Sequence, residues 1–498
     1  MKNLTYLEIK KQLPFLIPEQ YNDAMSYQEL LYAVISLVNE MVENINEIPD
    51  TIEADVTTEI QKLIDDGTIK GLINEQIFAD LNTKINDNYT TLDEKITTNY
   101  NTLSAADAAT NTKVDNNNSA VNLKIDNIAG DYVTPEQYGA AGNGEADDTA
   151  AINAAIFAAK IASKILLISG KYKITEQLAD IDNLTIVGKN AVITSAYSGS
   201  GDLIKFKSCN VSGIKIVSNT NHTGAILAGN DFNNAKFSDI TLYYGGTGIK
   251  LYNTASSFAA HITGFNISDC SQKGIHINNL ADTFISDGII NNCGVGIVFE
   301  NGSDGLYVTN VDIISCDYAF RGYCYGANMG STFFSNVLFD SSKTDNFSID
   351  GTVGSNVANA LQISNCWFSN PGNRQAYFSL VRNGEISNCI FQYSKGLGVN
   401  VTKCNNLKFN NCTFYANSKK DQAHMALYDN VGTIINGCTI GGYGTGAFDG
   451  YGANRSIFMS GNTYSIITNN RSYDCTATDI TGVESGAVVK NNIGITDR

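Results

Sequence analysis

A short phrase of residues recurs at nearly regular intervals along the chain, and it limits the possible folds more than any other feature. The phrase reads apolar, Ser/Thr/Asn, Asn/Asp/Gly, small or apolar, any residue, apolar, as in 363–368 and 386–391. Its fourth position recurs in steps of 23 to 29 residues, at 265, 288, 311, 337, 366, 389, 412 and 438. A spacing of this length is typical of a solenoid, in which each repeat forms one coil.

Within each repeat, short alternating runs of Ile, Val and Phe are broken by Asn, Asp and Gly. Such runs indicate strands joined by turns, and the unit is too short for a pair of helices. We therefore predict a mainly β fold, a right-handed single-stranded parallel β-helix with three short strands in each coil. Traced back through Ile240 and Ile214 to Leu184, and forward to Asn462, the fourth position predicts twelve coils. At ~4.8 Å per strand step, these coils form a rod of roughly 50 Å.

The cysteines follow the same repeat. Of the eleven in the chain, four occupy the fourth position of the phrase, namely Cys366, Cys389, Cys412 and Cys438. A cysteine there acts as a small apolar side chain, so these four are predicted to form a buried column of free thiols. The sequence has no CxxC pair and no Cys/His cluster with zinc spacing. We therefore expect no metal, no cofactor and no disulfide framework.

The net charge and the length of the apolar runs argue against nucleic-acid binding, a signal peptide and membrane insertion. A formal net charge of −17 argues against nucleic acid, because binding to phosphates needs clusters of Lys and Arg. The apolar run 30–38 is short, is flanked by Glu29 and Glu40 and lacks a cleavage site, which argues against a signal peptide. No segment approaches the roughly 18 apolar residues of a membrane span, so membrane insertion is not expected.

Residues 1–50 are predicted to form a helical block that attaches to a partner. Ser26 and Glu29 form a capping box, and the helix that follows is apolar around much of its circumference until Pro49 ends it. A helix with so much apolar surface must be buried against other protein.

Residues 51–130 are predicted to contain a short helix and a trimeric coiled-coil stalk. Two series of residues spaced seven apart indicate the a and d positions of heptads: Phe78, Ile85 and Leu92, and Tyr89, Ile96 and Leu103. Polar Asn99 and Asn118 lie in this seam, where such residues set the register at some cost in stability. A disordered polar linker is the alternative interpretation of the same composition.

The most specific stretch is VTPEQYGAAGNGEADDTAAINAAI, which runs from Val133 to Ile156. Its glycine-bearing turn precedes Asp147 and Asp148, whose negative charges suit the N-terminus of the Ala-rich helix that follows. The helix is predicted to cover the open N-terminal end of the solenoid. We interpret both aspartates as helix-cap residues rather than as a catalytic pair.

This stretch resembles the opening of pectate-lyase-like β-helix proteins (pectate lyase superfamily 3). The segments 166–174 and 184–188 are similar to the next strands of that family, whereas Asn143 departs from its usual Asp. The resemblance extends from about 131 to at least 465 and implies that 131–498 form the β-helix. It implies no single chemistry, because the fold carries lyases, hydrolases and non-enzymes.

The succession of helical block, slender stalk and β-helix resembles a phage tail spike, tail fibre or neck appendage. The resemblance implies a homotrimer, made in the host cytoplasm, whose N-terminus docks on the virion and whose β-helix meets the capsule or wall teichoic acid of the host. Three functions stay open. The protein is an adhesin that cleaves this glycan as a hydrolase or lyase, an adhesin that only binds it, or a bacterial polysaccharide lyase or hydrolase.

Outward-facing positions of the coils supply the candidate site. If the apolar positions point inward, the residues one and three places after the fourth position face solvent. Asp312 and Asp340 occupy such places, at roughly 8 Å by strand geometry, which falls within the ~6.5–9.5 Å of an inverting glycosidase pair. Trp367, the only Trp in the chain, lies on the same predicted face, and its ring suits stacking on a sugar.

The predicted site residues are Asp312, Asp340 and Glu385 for catalysis, and Trp367, Gln392 and Tyr393 for glycan binding. Asn310-Val311-Asp312 matches one element of polygalacturonases, but the partner Asp-Asp and Gly-His-Gly elements of those enzymes are absent. The alternative is that Trp367, together with Leu338 and Ile390, is buried between the subunits of a trimer.

Overall fold

The computed structural model describes residues 75–230, 234–253, 259–324, 327–351, 357–417, 422–442, 455–473, 475, 480–484 and 486–494, together with 58, 61, 62 and 65. The predicted helical block at 1–50 lies outside the described residues. The chain divides into two compact units, Met1–Ala120 and Val121–Arg498.

A single long helix, α1 (Glu75–Asp131), extends for 57 residues. Thr is a poor helix former, but several Thr hydroxyls along α1 donate to the carbonyl four residues earlier and so satisfy their own polar groups. The predicted seam residues Ile85, Leu92 and Ile96 are all exposed in the single chain. The helix falls where the stalk was predicted, and its assembly into a trimeric coiled coil stays a prediction.

The N-terminal end of the solenoid is covered by a helix, as predicted. The elements of this cap are β1 (Tyr132–Val133), a short 3-10 helix (Pro135–Tyr138), β2 (Asn143–Asp147) and α2 (Thr149–Ala162). One side of α2 joins the solenoid core through the buried residues Ile152, Ala155, Ile156 and Ala159. The helix therefore shields the apolar interior, which would otherwise meet water at this end.

The two aspartates of the cap have structural contacts. Asp148 is buried, and its carboxylate accepts hydrogen bonds from the backbone N–H groups of Ala141 at 2.6 Å and Gly142 at 3.3 Å. Asp147 accepts a hydrogen bond at 3.1 Å from the backbone N–H of Thr149, the first residue of α2. The helix-cap prediction is therefore confirmed for Asp147, whereas the Asp148 side chain fixes the glycine turn and makes no hydrogen bond to the start of α2.

From β3 onward the described chain is a parallel β-solenoid. Together with β1 and β2, its strands form a 23-stranded sheet, a 13-stranded sheet and one two-stranded pair. The strands are β3 (Ile165–Ile168), β4 (Lys171–Ile174), β5 (Ile181–Asp182), β6 (Thr185–Ser195), β7 (Ile204–Lys207), β8 (Asn210–Val217), β9 (Ala225–Asn230), β10 (Ala235–Tyr243), β11 (Thr247–Tyr252), β12 (Ala260–Ser268), β13 (Lys273–Asn278), β14 (Ala281–Asn291), β15 (Val295–Glu300), β16 (Asp304–Ile314), β17 (Tyr318–Tyr323), β18 (Thr332–Ser335), β19 (Leu338–Asp340), β20 (Phe347–Asp350), β21 (Ala358–Asn359), β22 (Leu361–Ser364), β23 (Trp367–Ser369), β24 (Ala376–Ser379), β25 (Val381–Arg382), β26 (Glu385–Ser387), β27 (Ile390–Gln392), β28 (Val399–Thr402), β29 (Lys408–Asn410), β30 (Thr413–Tyr415), β31 (Ala423–Tyr428), β32 (Ile434–Asn436), β33 (Thr439–Gly441), β34 (Arg455–Ser460), β35 (Ile466–Thr468), β36 (Arg471–Tyr473), β37 (Ile480–Thr481) and β38 (Val488–Lys490).

Each coil has three faces, in agreement with the predicted three strands. The first face consists of strands such as β18, β22 and β26, and the second face of strands such as β19, β23 and β27. In the earlier coils both faces belong to one long bent strand, such as β16, which pairs with β18 and with β19. The third face is the 13-stranded sheet, which includes β13, β15 and β17. The mainly β, parallel solenoid prediction is therefore confirmed.

The bend between the first and second faces explains the Asn/Asp/Gly position of the repeated phrase. The backbone there is left-handed, with φ of 57° at Asp287, 53° at Asn310 and 55° at Asn336. Asn and Asp adopt this conformation more readily than other non-glycine residues. Their side chains also bond between coils, since the Asn310 amide donates to the Asp287 carboxylate at 3.0 Å. One position of the phrase thus both turns the chain and ties neighbouring coils together.

The interior consists of columns in which like side chains stack from coil to coil. Phe339, Phe368, Phe391 and Phe414 are fully buried, and successive ring centroids lie 4.7, 4.4 and 4.9 Å apart. Such aromatic pairs stabilise a core beyond the area that they bury. This column follows the last apolar position of the phrase, which is therefore an inward position.

The cysteines also form internal columns. All eleven are free, and ten of them are buried. The hydrogen bond with Cys389 and burial raise the pKa of the Cys412 thiol to about 12. A thiol with so high a pKa stays protonated and unreactive at neutral pH. The prediction that the cysteines of the phrase are free, buried side chains is confirmed.

The predicted column of fourth positions starts at the wrong residue at its N-terminal end. Ile214 pairs with Ala191, and not with Leu184, so the true step at this end is shorter. The cause is a register shift in β6 between Val187 and Ala191, where the strand carries extra residues.

The predicted column of fourth positions also ends at the wrong residue at its C-terminal end. The backbone N–H of Cys438 donates to the Asn470 side chain at 2.8 Å, so Asn470 and not Asn462 follows Cys438 in the column. Asn462 stacks instead on Asn430, whose side-chain amide donates to it at 2.8 Å. The coil from Cys438 to Asn470 is longer than the neighbouring coils, and the predicted register did not allow for its extra residues.

A substitution in the aromatic column tests the packing. Replacing Phe368 by Ala should lower the free energy of unfolding by about 3–5 kcal/mol, because it leaves a cavity between two stacked rings. Gln362→Ala, at an exposed position of the same coil, is the control and should change that free energy by less than about 0.5 kcal/mol. Equal denaturation midpoints for the two variants would show that this column is not the core.

Candidate functional site

The second face carries most of the predicted site residues. Along it Asp312 pairs with Leu338, Leu338 with Trp367, and Trp367 with Ile390, so the four form one column across successive coils. Their neighbours on each strand are buried, so alternation directs this column outward. Trp367 is 47% exposed and Ile390 is 42% exposed.

Asp340 lies in the next outward column of the same face. It pairs with Ile314 in one direction and with Ser369 in the other, and Ser369 pairs with Gln392. Asp340 is therefore one coil and two residues from Asp312, which is the offset that the sequence predicts. The structure brings Asp312, Asp340, Trp367 and Gln392 together on one outer face.

Glu385 and Tyr393 lie at the margins of that face. Glu385 is on the first face, beyond the left-handed bend at Asn388, and its carboxylate accepts a hydrogen bond from Asn410 at 3.0 Å. Tyr393 is at the opposite corner, where its ring meets that of Tyr415 edge to face at 5.6 Å. Burial raises the pKa of Tyr393. Of the predicted catalytic residues, only the two aspartates therefore share the face of Trp367.

A stack of partly exposed rings on the first face lies outside the six predicted site residues. His261, Phe284, Tyr307 and Phe333 stack with 4.8 Å between successive centroids and with nearly parallel planes. All four stand four residues before the fourth position of the phrase, and this shared place in the repeat is the signal that would have revealed them. The stack forms a flat apolar strip that suits the faces of sugar rings.

A polar cluster on the third face was also missed. The His276 Nε2–H donates to Glu300 Oε1 at 2.7 Å, and Lys273 Nζ lies 3.3 Å from the His276 ring nitrogens. Burial lowers the pKa of His276 and of Lys273, whereas the hydrogen bond from His276 lowers the pKa of Glu300. Lys273 and His276 share β13, but Glu300 comes from the next coil, so no local motif joins the carboxylate to them.

Metal binding and membrane spanning have no structural support among the residues described. No group of three or more His, Cys, Asp or Glu side chains within those ranges is arranged to hold a metal ion. None of the helices described is long and apolar enough to cross a membrane.

Two known families match this chain, and both identify its fold. A family described as rhamnogalacturonase A/epimerase, pectate lyase-like, matches residues 132–333. A family described as the right-handed β-helix region matches residues 296–463 and 350–496. No curated protein matches the sequence.

Several solved structures are similar to this chain at low sequence identity. Tailspike protein 3 of bacteriophage CBA120 has a TM-score of 0.55 at 15% identity, over 75% of this chain and 63% of that chain. The A-module of mannuronan C-5 epimerase AlgE6 from Azotobacter vinelandii has a TM-score of 0.48 at 13% identity, over 72% of this chain and 98% of that chain. The Dettilon tailspike protein has a TM-score of 0.39 at 15% identity, over 73% and 66%. The likeness to tailspike protein 3 shows a common fold, and this chain spans 63% of its length.

Intrinsic fluorescence tests the exposure of the second face, since Trp367 is the only Trp. Acrylamide should quench the emission of the native protein efficiently, because nearly half of the indole surface is open to solvent. Trp367→Phe, which removes the signal, is the control for the assignment. Emission that resists quenching until the protein is denatured would instead place Trp367 inside an interface between copies of the chain.

Proposed function

This chain carries a pectate-lyase-like parallel β-helix, and we propose that it serves as a phage tail spike or appendage protein that binds a glycan of the host cell surface. The observation that carries the proposal is the exposed Trp367 on the same outer face as Asp312 and Asp340. An indole ring stacks on the apolar face of a sugar, while carboxylates accept hydrogen bonds from its hydroxyls. The fold shared with a bacteriophage tailspike protein supports the assignment.

Cleavage of the glycan is the finer form of this proposal. In an inverting hydrolysis, one carboxylic acid protonates the leaving oxygen while a carboxylate on the opposite side activates the attacking water. The offset of one coil and two residues between Asp312 and Asp340 supports such a pair, since it corresponds to roughly 8 Å along a sheet. Wall teichoic acid and capsule polysaccharide are the candidate substrates.

An adhesin without catalysis is the second candidate. Leu338, Trp367 and Ile390 form a continuous, partly apolar column on the second face, and apolar side chains of this kind also fit a contact between copies of the chain. In that arrangement the sugar lies in the groove between subunits and the aspartates serve as ligands only. A bacterial polysaccharide lyase or hydrolase remains the third candidate.

Attachment to the virion and trimer formation complete the proposal. The exposed seam of α1 supports a trimeric stalk, because isolated apolar side chains spaced by heptads gain burial only from partner helices. We assign residues 1–50 to the virion contact, residues 51–130 to the stalk and residues 131–498 to the glycan-binding rod.

Oligomeric state tests the stalk. Light scattering should give about three times the chain mass of 53.6 kDa. A double variant with Leu92→Asp and Ile96→Asp should shift the mass toward that of one chain, because it places charges in the seam. Tyr100→Asp, at an exposed position outside the seam, is the matched control and should leave the mass unchanged. A monomeric native protein at micromolar concentration would contradict the trimer.

Substitutions on the second face test binding and cleavage. Trp367→Ala should weaken binding of host glycan at least tenfold, and the loss of one stacked ring is large enough for this. If the chain cleaves the glycan, Asp312→Asn and Asp340→Asn should each slow chain shortening on the order of 10²–10⁴-fold. Binding is followed by calorimetry, and cleavage by the size of the glycan chains.

Two exposed positions elsewhere on the solenoid provide matched controls. Tyr464→Ala removes an exposed ring near the C-terminal coils, and Asp180→Asn neutralises an exposed carboxylate near the N-terminal coils. Both should retain binding and cleavage. Native activity in all three second-face variants would move the site to another face.

A further inference from the structure

We propose that the outer surface of β13, β15 and β17 on the third face is a second binding site, which takes the oxyanions of an anionic glycan. The oxyanions are uronate carboxylates or phosphodiesters, and Arg321 is the cationic contact of one while Lys273 is that of another. The proposal rests on glycan binding as the function of the protein, but it uses residues of a different face from Trp367.

Arg321 is arranged to receive a ligand. Its guanidinium carbon lies 4.3 Å from the ring centroid of Tyr318 and 4.5 Å from that of Tyr323, so two rings fix its plane. Its Nε is buried and has no hydrogen-bond partner, and no described carboxylate lies within ion-pair distance of it. A buried, unpaired donor costs free energy, because it has lost its hydrogen bonds to water. An oxyanion at the free edge of the guanidinium would remove this cost through two parallel hydrogen bonds.

Lys273 provides a second cation that is not consumed by an ion pair. The nearest carboxylate of the cluster, Glu300, already accepts hydrogen bonds from His276 at 2.7 Å and from Asn278 at 3.1 Å. Within the described part of the chain, Lys273 Nζ makes its polar contacts with the two His276 ring nitrogens, each at 3.3 Å. Burial lowers the pKa of Lys273, so an anion that neutralised its charge would be held strongly.

The register separates Lys273 and His276 from Arg321 by more than one oxyanion spans, so the two cations suit different charged groups along a glycan. His276 pairs with Val298, and Val298 pairs with Arg321, so His276 and Arg321 lie two strand steps apart, about 10 Å. Lys273 is likewise two steps from Tyr318 in the neighbouring column. Val298, which lies between His276 and Arg321 in the register, is 1% exposed, so other side chains cover it.

The polar cluster on the third face differs from the rows of hydrogen-bonded polar side chains at the corners of the solenoid, which are purely structural. The ladders at the corners of the solenoid satisfy their own groups, as the Asn310 amide does with the Asp287 carboxylate. The third-face cluster instead satisfies its carboxylate twice and leaves a buried donor of Arg321 without a partner. The excess of donors over acceptors is the feature that selects an anionic ligand over a neutral one.

Binding of short oligosaccharides to the full chain tests the proposal. The probes are oligogalacturonate, which supplies carboxylates, oligo(glycerol phosphate), which supplies phosphodiesters, and a neutral maltooligosaccharide. At least one anionic probe should bind, and added salt should weaken its binding. Arg321→Gln should weaken it at least tenfold, as expected for loss of a charged hydrogen bond. Arg321→Lys should restore only part of the affinity, because an ammonium cannot make the two parallel bonds.

The matched control is Lys205→Gln. Lys205 lies in the same outward column of the third face, joined to it by register through Ala228 and Lys250, and it is exposed. Its loss changes the net charge by the same amount and should leave affinity for the anionic probes unchanged. An equal loss in Lys205→Gln and Arg321→Gln would overturn the proposal, since the attraction would then come from charge alone. Failure of both anionic probes to bind, or equal binding of the neutral probe, would overturn it as well.

Trp367→Ala separates this proposal from the second-face site. That variant should retain the anionic oligosaccharide on the third face while losing host glycan on the second. If anionic binding disappears in Trp367→Ala and persists in Arg321→Gln, the third-face site is wrong and the second-face function stands. If anionic binding persists in Trp367→Ala and host glycan also binds that variant normally, the second-face assignment fails and the third-face site stands.

Discussion

Parallel stacking in register is the constraint on which this structure depends. Each coil presents its inward side chains to the equivalent side chains of the next coil, and its backbone groups are satisfied only by that neighbour. A phenylalanine therefore sits on a phenylalanine, as Phe368 does on Phe391 at 4.4 Å, and a cysteine on a cysteine. Corners obey the same rule, since left-handed Asn and Asp residues stack at the bend and bond along it. The repeated phrase is the sequence record of these columns.

Outward columns share the register of the core, but their side chains do not repeat from coil to coil. These varied outward side chains are the ones available for function. Asp312, Asp340 and Trp367 are distant in sequence but fall on one face because inward packing aligns their strands. The inward residues are restricted by packing, whereas the outward residues are free to differ from coil to coil. The regular core therefore holds different outward side chains at fixed intervals along the solenoid.

This division explains which parts could be predicted from the sequence. Inward periodicity yields the fold, the three-face coil, the direction of Asp312 and Trp367, and the buried thiols. The column ends could not be located, because a register shift in β6 and a longer coil before Asn470 insert residues without changing the apolar pattern. Glu385 is predicted to flank the face of the aspartates, and a left-handed corner places it on the adjacent face. The His276–Glu300 contact joins polar residues of different coils, and no local pattern encodes such a pair.

The central claim is that the second face holds the host glycan, with Trp367 at its centre. The most direct measurement is the structure of the full chain bound to oligosaccharides of the host surface, by crystallography or electron cryomicroscopy. The account predicts saccharide density that stacks on Trp367 and reaches Asp312 and Asp340. Saccharide density confined to other faces, with Trp367 packed between copies of the chain, would contradict it.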